Sequence, residues 1–231
     1  VSQPILKFDN VVSGYGDTMV LRDVSGAVER GNVLGILGRN GVGKTTLMKT
    51  IAGFIKPQRG TLTLNGRNVN GLAPQDRLRE GMAYAPQENV VFGDLSVHEN
   101  LWLHLDDKDD SRYESCLKHF PRLVERMEQR SGLLSGGERK LLSFTRSLGL
   151  RAPLTMLDEP TEGVQPENIQ RMAGLVRSRC ETGAAFVIVE QNLEFLLTVA
   201  TAVLVMDHGE VVLDSPAGRV SREQLEEYLM V

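Results

Sequence analysis

The sequence predicts an α/β fold with a mixed sheet core and crossover helices, an antiparallel β subdomain near the N-terminus, and a helical segment in the middle of the chain. Three observations predict it. The continuous apolar run Val33-Leu34-Gly35-Ile36-Leu37 enters the glycine loop Gly38-Arg39-Asn40-Gly41-Val42-Gly43-Lys44-Thr45. Leu47, Met48, Ile51, Ala52 and Ile55 follow at helical spacing, so the order is strand, loop, helix. After Pro153 short apolar runs alternate with helical stretches, the pattern of parallel strands joined by crossover helices. Between these, from Val97 to Leu150, apolar residues such as Val97, Leu101 and Leu105 recur at helical spacing.

In chain order, Ile5 to about Asn32 consists of short apolar runs broken by Gly14, Gly16, Gly26 and Gly31, which predicts small strands joined by turns. Thr61 to Leu64 alternates ahead of Asn65-Gly66, a strong hairpin-turn dipeptide, and Met82 to Ala85 is a short strand ahead of Pro86. Within the helical segment Pro121 starts a new helix. The cluster Asp106-Asp107-Lys108-Asp109-Asp110 reads as a solvated loop, because no other ligand-type residues are spaced around it. Then come a strand from Leu154 to Leu157, a helix from about Pro166 to Thr182, a strand from Phe186 to Val189, a helix from about Leu193 to Ala200 and a strand from Ala202 to Met206. The turn Asp207-His208-Gly209-Glu210 leads into Val211-Val212-Leu213, and Arg222 to Leu229 forms a last helix. The expectation is a single domain over 1–231, with an α/β core from 1–87 and 151–231 and a helical subdomain from 88–150. Internal repeats and low-complexity tracts are not evident.

Composition narrows the function classes. In 231 residues, 41% apolar content is enough for a buried core and argues against wholesale disorder. With 26 Lys and Arg against 30 Asp and Glu, and only 5% aromatic residues, the chain lacks the basic footprint and stacking platforms of nucleic-acid binding. The longest uncharged apolar stretch, Phe195 to Met206, falls well short of the roughly 20 residues of a spanning helix. The opening Val1-Ser2-Gln3-Pro4 has neither a basic start nor a long apolar run, so no secretory leader and a cytosolic location are expected. Cys116 and Cys180, far apart and without CxxC spacing, read as reduced thiols.

The glycine loop Gly38 to Thr45 matches G-x4-G-K-[ST] in the strand-to-helix setting that gives that pattern its meaning. Glycines let backbone N–H groups wrap phosphates, and the helix N-terminus adds a favourable dipole. Lys44 reaches the β and γ phosphates, and the Thr45 hydroxyl can ligate Mg²⁺. Thr46 serves helix or phosphate packing. The residues imply a bound nucleoside triphosphate. Leu154-Thr155-Met156-Leu157-Asp158-Glu159 ends a hydrophobic strand in two carboxylates at the sheet edge that faces this loop. Asp158 is the natural Mg²⁺ partner, and Glu159 the carboxylate that orients and polarises an attacking water. Leu134-Ser135-Gly136-Gly137-Glu138 opens a helix whose buried face is marked by Leu141, Phe144 and Leu148, and Ser135 with Glu138 forms a capping box.

With this last motif the chain resembles the ATP-binding cassette (ABC) family, whose signature is LSGGQ, over essentially its whole length. The resemblance implies ATP and Mg²⁺ as ligands and two cassettes dimerised head to tail. The signature of one subunit then closes over ATP held by the P-loop of the other, with Ser135, Gly136 and Gly137 as an anion site at a helix N-terminus and Glu138 at the fifth signature position. It further implies that Tyr15, in Gly14-Tyr15-Gly16, stacks on adenine, and that Gln87 is the Q-loop glutamine touching Mg²⁺ and water. Thr161-Glu162-Gly163-Val164 stands where the D-loop does. The pattern breaks at the switch histidine, whose place in Glu190-Gln191-Asn192 is taken by Gln191; an amide can hydrogen-bond but cannot carry a proton. His98, His104, His119 and His208 offer no evident replacement, and Trp102 reads as packing.

The Glu-Gln-Asn ending, with Thr161-Glu162-Gly163-Val164-Gln165-Pro166, is similar to one of the two cassette subunits of branched-chain amino acid importers and of urea or short-amide importers. That similarity implies a second cassette, two integral membrane permease subunits, a periplasmic solute-binding protein, and a peripheral position on the inner face of the cell membrane. The apolar residues Val90, Val91 and Phe92 after Gln87 are the expected contact for the membrane subunits. An export cassette and a soluble ABC ATPase outside transport are the alternatives.

Overall fold

The computed structural model describes residues 3–88, 90–103, 105, 109 and 111–230. The first two strands, β1 (Leu6–Tyr15) and β2 (Thr18–Val28), pair antiparallel along most of their length. This corrects the expectation of several small strands. Gly14 and Gly26 lie inside the strands because the backbone there has no room: a Cβ on Gly26 would sit 2.5 Å from the Phe8 ring, and one on Gly14 would sit 1.9 Å from the Thr18 carbonyl oxygen. Register shifts on either side of Val11 mark bulges, and Asn10 and Asp23 adopt positive φ beside them. Gly16 turns the hairpin between Tyr15 and Thr18, and Gly31 the connection from β2 to the next strand.

Next come β3 (Val33–Leu37), α1 (Lys44–Ala52), β4 (Arg59–Leu64), β5 (Arg67–Asn68), α2 (Pro74–Arg79) and β6 (Met82–Ala85). β4 and β5 form the expected Asn65-Gly66 hairpin, and β2-β1-β4-β5 is an antiparallel sheet. The six-residue α2, which the sequence pattern does not announce, is pinned by Arg77. Its buried guanidinium donates to the carbonyls of Thr50 and Ile51 at the end of α1, and to those of Leu72 and Asn70.

The middle of the chain is helical, with α3 (Val97–Trp102), α4 (Ser111–His119), α5 (Pro121–Glu125, started by its proline) and α6 (Gly136–Gly149). Trp102 packs edge-on against Tyr113, as expected of a packing residue. Of the acidic cluster, Asp109 accepts from Ser111 and pairs with Arg151, while residues 106–108 and 110 lie outside the described ones. The remainder is β7 (Leu154–Asp158), α7 (Pro166–Glu181), β8 (Ala185–Val189), α8 (Leu193–Val199), β9 (Ala202–Asp207), β10 (Glu210–Pro216) and α9 (Arg222–Met230).

These strands build a mixed sheet in the order β10-β9-β3-β8-β7-β6, parallel throughout except for β10 on its edge. Its central strands are buried on both faces, so they read as unbroken apolar runs. Alternate side chains enter two cores. Leu34, Ile36, Val187, Val189, Leu204 and Met206 face α1 and the antiparallel sheet; Val33, Leu37, Phe186, Ile188, Val203 and Val205 face the core that includes residues of α6, α7 and α8. The register sets Ile36 beside Val189 and Val189 beside Asp158, so β3, β8 and β7 end on one line. No helix among the described residues is long and apolar enough to cross a membrane.

Candidate functional site

Four strand ends, those of β3, β6, β7 and β8, deliver the site. β3 runs into the loop 38–43, where Gly38, Gly41 and Gly43 adopt positive φ; at Gly38 a Cβ would meet the Met206 carbonyl oxygen at 2.4 Å. The loop therefore folds as a cradle open to only one residue type at that point. Lys44, at the start of α1, is nearly buried and curls back, its Nζ donating to the carbonyls of Gly38 (2.7 Å) and Arg39 (2.8 Å). Burial holds its ammonium below the ordinary lysine range, against the opposing pull of Glu159 and Asp158. Asn40, Gly41, Gly43, Lys44, Thr45, Gln87, Glu159, Glu162 and Gln191 line one cleft of about 340 Å³. Arg39 and Asn40 are exposed, while Val42 and Thr46 pack inward.

β7 ends in Asp158, 1% exposed. Burial raises its carboxyl above the usual range, with the Thr45 hydroxyl opposing and the Glu159 charge adding to the rise. The Tyr84 hydroxyl lies 3.4 Å from Oδ2, and Oδ1 is buried without a hydrogen-bond partner among the described residues. A buried acceptor left open beside a threonine hydroxyl fits a hydrated divalent cation. Gln87, just past the end of β6, and Thr45 line the P-loop cleft, and the Thr45 hydroxyl neighbours the Asp158 carboxyl.

Glu159 occupies a left-handed backbone position (φ 47) and is 8% exposed. Each of its carboxylate oxygens accepts one amide: Gln87 Nε2 donates to Oε2 at 2.8 Å and Gln191 Nε2 to Oε1 at 2.9 Å. Gln191 Nε2 also donates to Asn40 Oδ1 at 2.9 Å, bridging the P-loop and the acid. The residue that departs from the histidine pattern is thus in direct contact with Glu159. His208 lies in the turn beside the P-loop, exposed and near Asp207, and His98 and His119 sit in the helical region. His104 lies outside the described residues.

Sequence reasoning missed two charged groups that hold these loops. Glu190, at the end of β8, is 2% exposed and accepts from the backbone N–H groups of Thr161, Gln191 and Asn192. Burial raises its carboxyl despite those donors. An acid directly after a wholly apolar strand was the available signal. Lys140 on α6 donates to the carbonyls of Gln87 and Glu159. Its signal was a charge one position from the buried stripe of that helix.

Ser135 caps α6, and the capping box closes in both directions: Glu138 N–H to Ser135 Oγ (3.2 Å) and Ser135 N–H to Glu138 Oε2 (2.8 Å). Ser135, Gly136, Gly137 and Glu138 line a second cleft with Glu162, Gly163, Val164, Gln165 and Asn168. Of these residues only Glu162 also lines the P-loop cleft, so signature and P-loop do not converge within one chain. Tyr15 is half exposed at the end of β1 and borders a third cleft with Thr45, Lys49, Phe54, Tyr84 and Gln87.

The sequence profile described as ABC transporter matches residues 21–162, which hold the P-loop, Gln87, the signature and both carboxylates. The high-affinity branched-chain amino acid transport ATP-binding protein BraG of Pseudomonas aeruginosa is 36% identical over 213 residues, covering 90% of this chain and 91% of the relative. The lipopolysaccharide export system ATP-binding protein LptB of Acidithiobacillus ferridurans is 30% identical over 214 residues, covering 90% and 88%. Among solved structures, an ATP-binding subunit of an ABC transporter superposes with a TM-score of 0.85 at 24% identity, covering 98% of this chain and 95% of that one, which shows the shared fold. A P-loop, a strand ending in paired carboxylates and a capped glycine signature, in this order and under this profile, place the chain in the ABC transporter family as an ATP-binding, ATP-hydrolysing subunit.

Proposed function

We propose that this subunit powers import of branched-chain amino acids or a related small solute such as urea or a short amide. It would do so from the inner face of the cell membrane, with two permease subunits, a solute-binding protein and a second cassette. The observation that carries the proposal is the likeness to BraG along nine-tenths of both chains, together with the Glu190-Gln191-Asn192 segment that touches Glu159. The likeness to LptB favours export as the second reading.

In this reading Tyr15 stacks on adenine. Residues Gly38 to Thr46 wrap the phosphates with backbone N–H groups, and Lys44 exchanges its two carbonyl partners for phosphate oxygens. Thr45, Asp158 and Gln87 would hold Mg²⁺, which neutralises charge on the β and γ phosphates. Glu159 orients the water. Gln87 and Gln191 each use one acceptor position of its two oxygens and fix the carboxylate's orientation, and a lone pair on each oxygen is left to accept from the water. The separate signature cleft, with Ser135, Gly136, Gly137 and Glu138, then belongs over the ATP of a second cassette. Residues 88–150 act as the helical subdomain, with the half-exposed Phe92 as a contact for the permease.

Uptake of radiolabelled leucine and urea by cells with the gene disrupted tests the reading. Uptake of one of them should fall and be restored by the parent chain but not by Lys44→Ala, whose ATP binding should weaken by about tenfold or more through loss of a charge-assisted phosphate contact. Unchanged uptake of both solutes on disruption would overturn import of this class. Unchanged ATP affinity in Lys44→Ala would overturn the P-loop assignment.

A further inference from the structure

The signature helix α6 carries a lysine, Lys140, that lines the signature cleft and reaches the turn at Glu159. Lys140 is only 9% exposed, and its ammonium makes three contacts on two segments, the Gln87 loop and the turn 159–162. Nζ donates to the backbone carbonyl of Gln87 at 2.9 Å and to that of Glu159 at 2.9 Å, and it stands 3.4 Å from the Glu162 carboxylate. Two of the three ammonium protons go to the two carbonyls, and the exposed Glu162 carboxylate stands within ion-pair range.

The Glu159 carbonyl is a group in need of such a partner. Glu159 has left β7, sits at φ 47 and is buried, so its carbonyl has no strand neighbour to serve it, while its N–H is taken by the Val189 carbonyl. A non-glycine residue in this conformation persists only where its surroundings over-determine it. Lys140 from one side and Val189 from the other supply that constraint. Gln87 is held twice over, its carbonyl by Lys140 and its amide by Glu159. Glu162 lines both the P-loop cleft and the signature cleft, and Lys140 lines the latter.

We propose that Lys140 is a positioning residue for ATP hydrolysis, locking the Glu159 turn, the Gln87 loop and Glu162 in register with the helix that bears Ser135, Gly136 and Gly137. Through it, a displacement of α6 displaces the backbone of the water-orienting carboxylate. Lys140 touches no reacting atom. The proposal rests on the reading of Glu159 as that carboxylate.

Lys140→Met keeps an unbranched apolar stem and removes the ammonium with all three contacts; Lys140→Arg keeps the charge and the donors. ATP turnover and ATP KM are measured for the full chain and both variants, with Glu159→Gln alongside. Hydrogen exchange is followed in peptides covering 86–92 and 159–165 of the nucleotide-free chain. Lys140→Met should lower kcat by about tenfold or more, the scale on which small misplacements act, while ATP KM stays within about threefold. Lys140→Arg should recover most of the rate. Both peptides should exchange faster in Lys140→Met, with β3 and β8 unchanged. Parent-like turnover in Lys140→Met with Glu159→Gln inactive overturns the proposal and leaves the Glu159 reading standing. Parent-like turnover in Glu159→Gln overturns that reading and this proposal with it. Unchanged exchange in both peptides overturns the proposal whatever the turnover rates, and should Lys140→Met melt below assay temperature, Lys140→Gln, with fewer donors and no charge, is read by the same criteria.

Discussion

Gln191 shows how much one side chain decides. Its amide reaches Glu159 Oε1 and Asn40 Oδ1 at the same distance of 2.9 Å, so it ties the acid to the phosphate loop without carrying a proton. An imidazole could donate to the same carboxylate from one nitrogen. Gln191→His should therefore fold and keep turnover within about fivefold, whereas Gln191→Ala, which leaves the Glu159 carboxylate oriented by Gln87 alone, should lose about 100-fold through misplacement of the carboxylate. Steady-state ATP turnover of the two variants checks this, and an inactive Gln191→His would mean that the amide itself is required. Legibility at this scale follows sequence separation. Lys44, Thr45, Asp158 and Glu159 announce themselves because each lies in a short motif whose context is local. Lys140 and Glu190 do not, because what they hold lies 53, 19 and 29 positions away and only the fold brings it near.

At the scale of elements, helix ends carry the site, and each end has an identifiable cause. α6 begins at Ser135 because its side chain and that of Glu138 satisfy each other's backbone N–H groups. Ser135→Ala should cost about 1 kcal/mol of stability, read as a shift of the urea midpoint without a change of slope. α1 ends at Gly53, and the buried Arg77 takes up carbonyls of its last turn, burial pulling the guanidinium down to about 10. Arg77→Met strands four carbonyls, two of them buried at the end of the P-loop helix. It should cost about 3 kcal/mol and lower the Tm by about 10 °C. A change of less than 2 °C, by calorimetry, would mean that water replaces the guanidinium at that site. The N-terminal glycines show where element-level reading fails. Gly26 makes room for the Phe8 ring and Gly16 turns a hairpin, yet in sequence both are simply glycines between apolar runs.

For the whole molecule, the parallel strand ends bring Gly38, Asp158 and Glu190 to one edge of the sheet, which the strand-to-helix pattern of the sequence already implied. The packing adds that the signature cleft and the P-loop cleft share Glu162 and none of the phosphate-loop residues. Under the proposed function each cleft is a half-site, completed by a second cassette. The measurement that tests this most directly is ATP turnover per chain across a concentration series of the purified parent, with Glu159→Gln as control. Turnover per chain should rise with concentration and vanish in the variant. Turnover per chain that stays constant over the series, or that survives in Glu159→Gln, would contradict a site completed by a second cassette and served by that carboxylate.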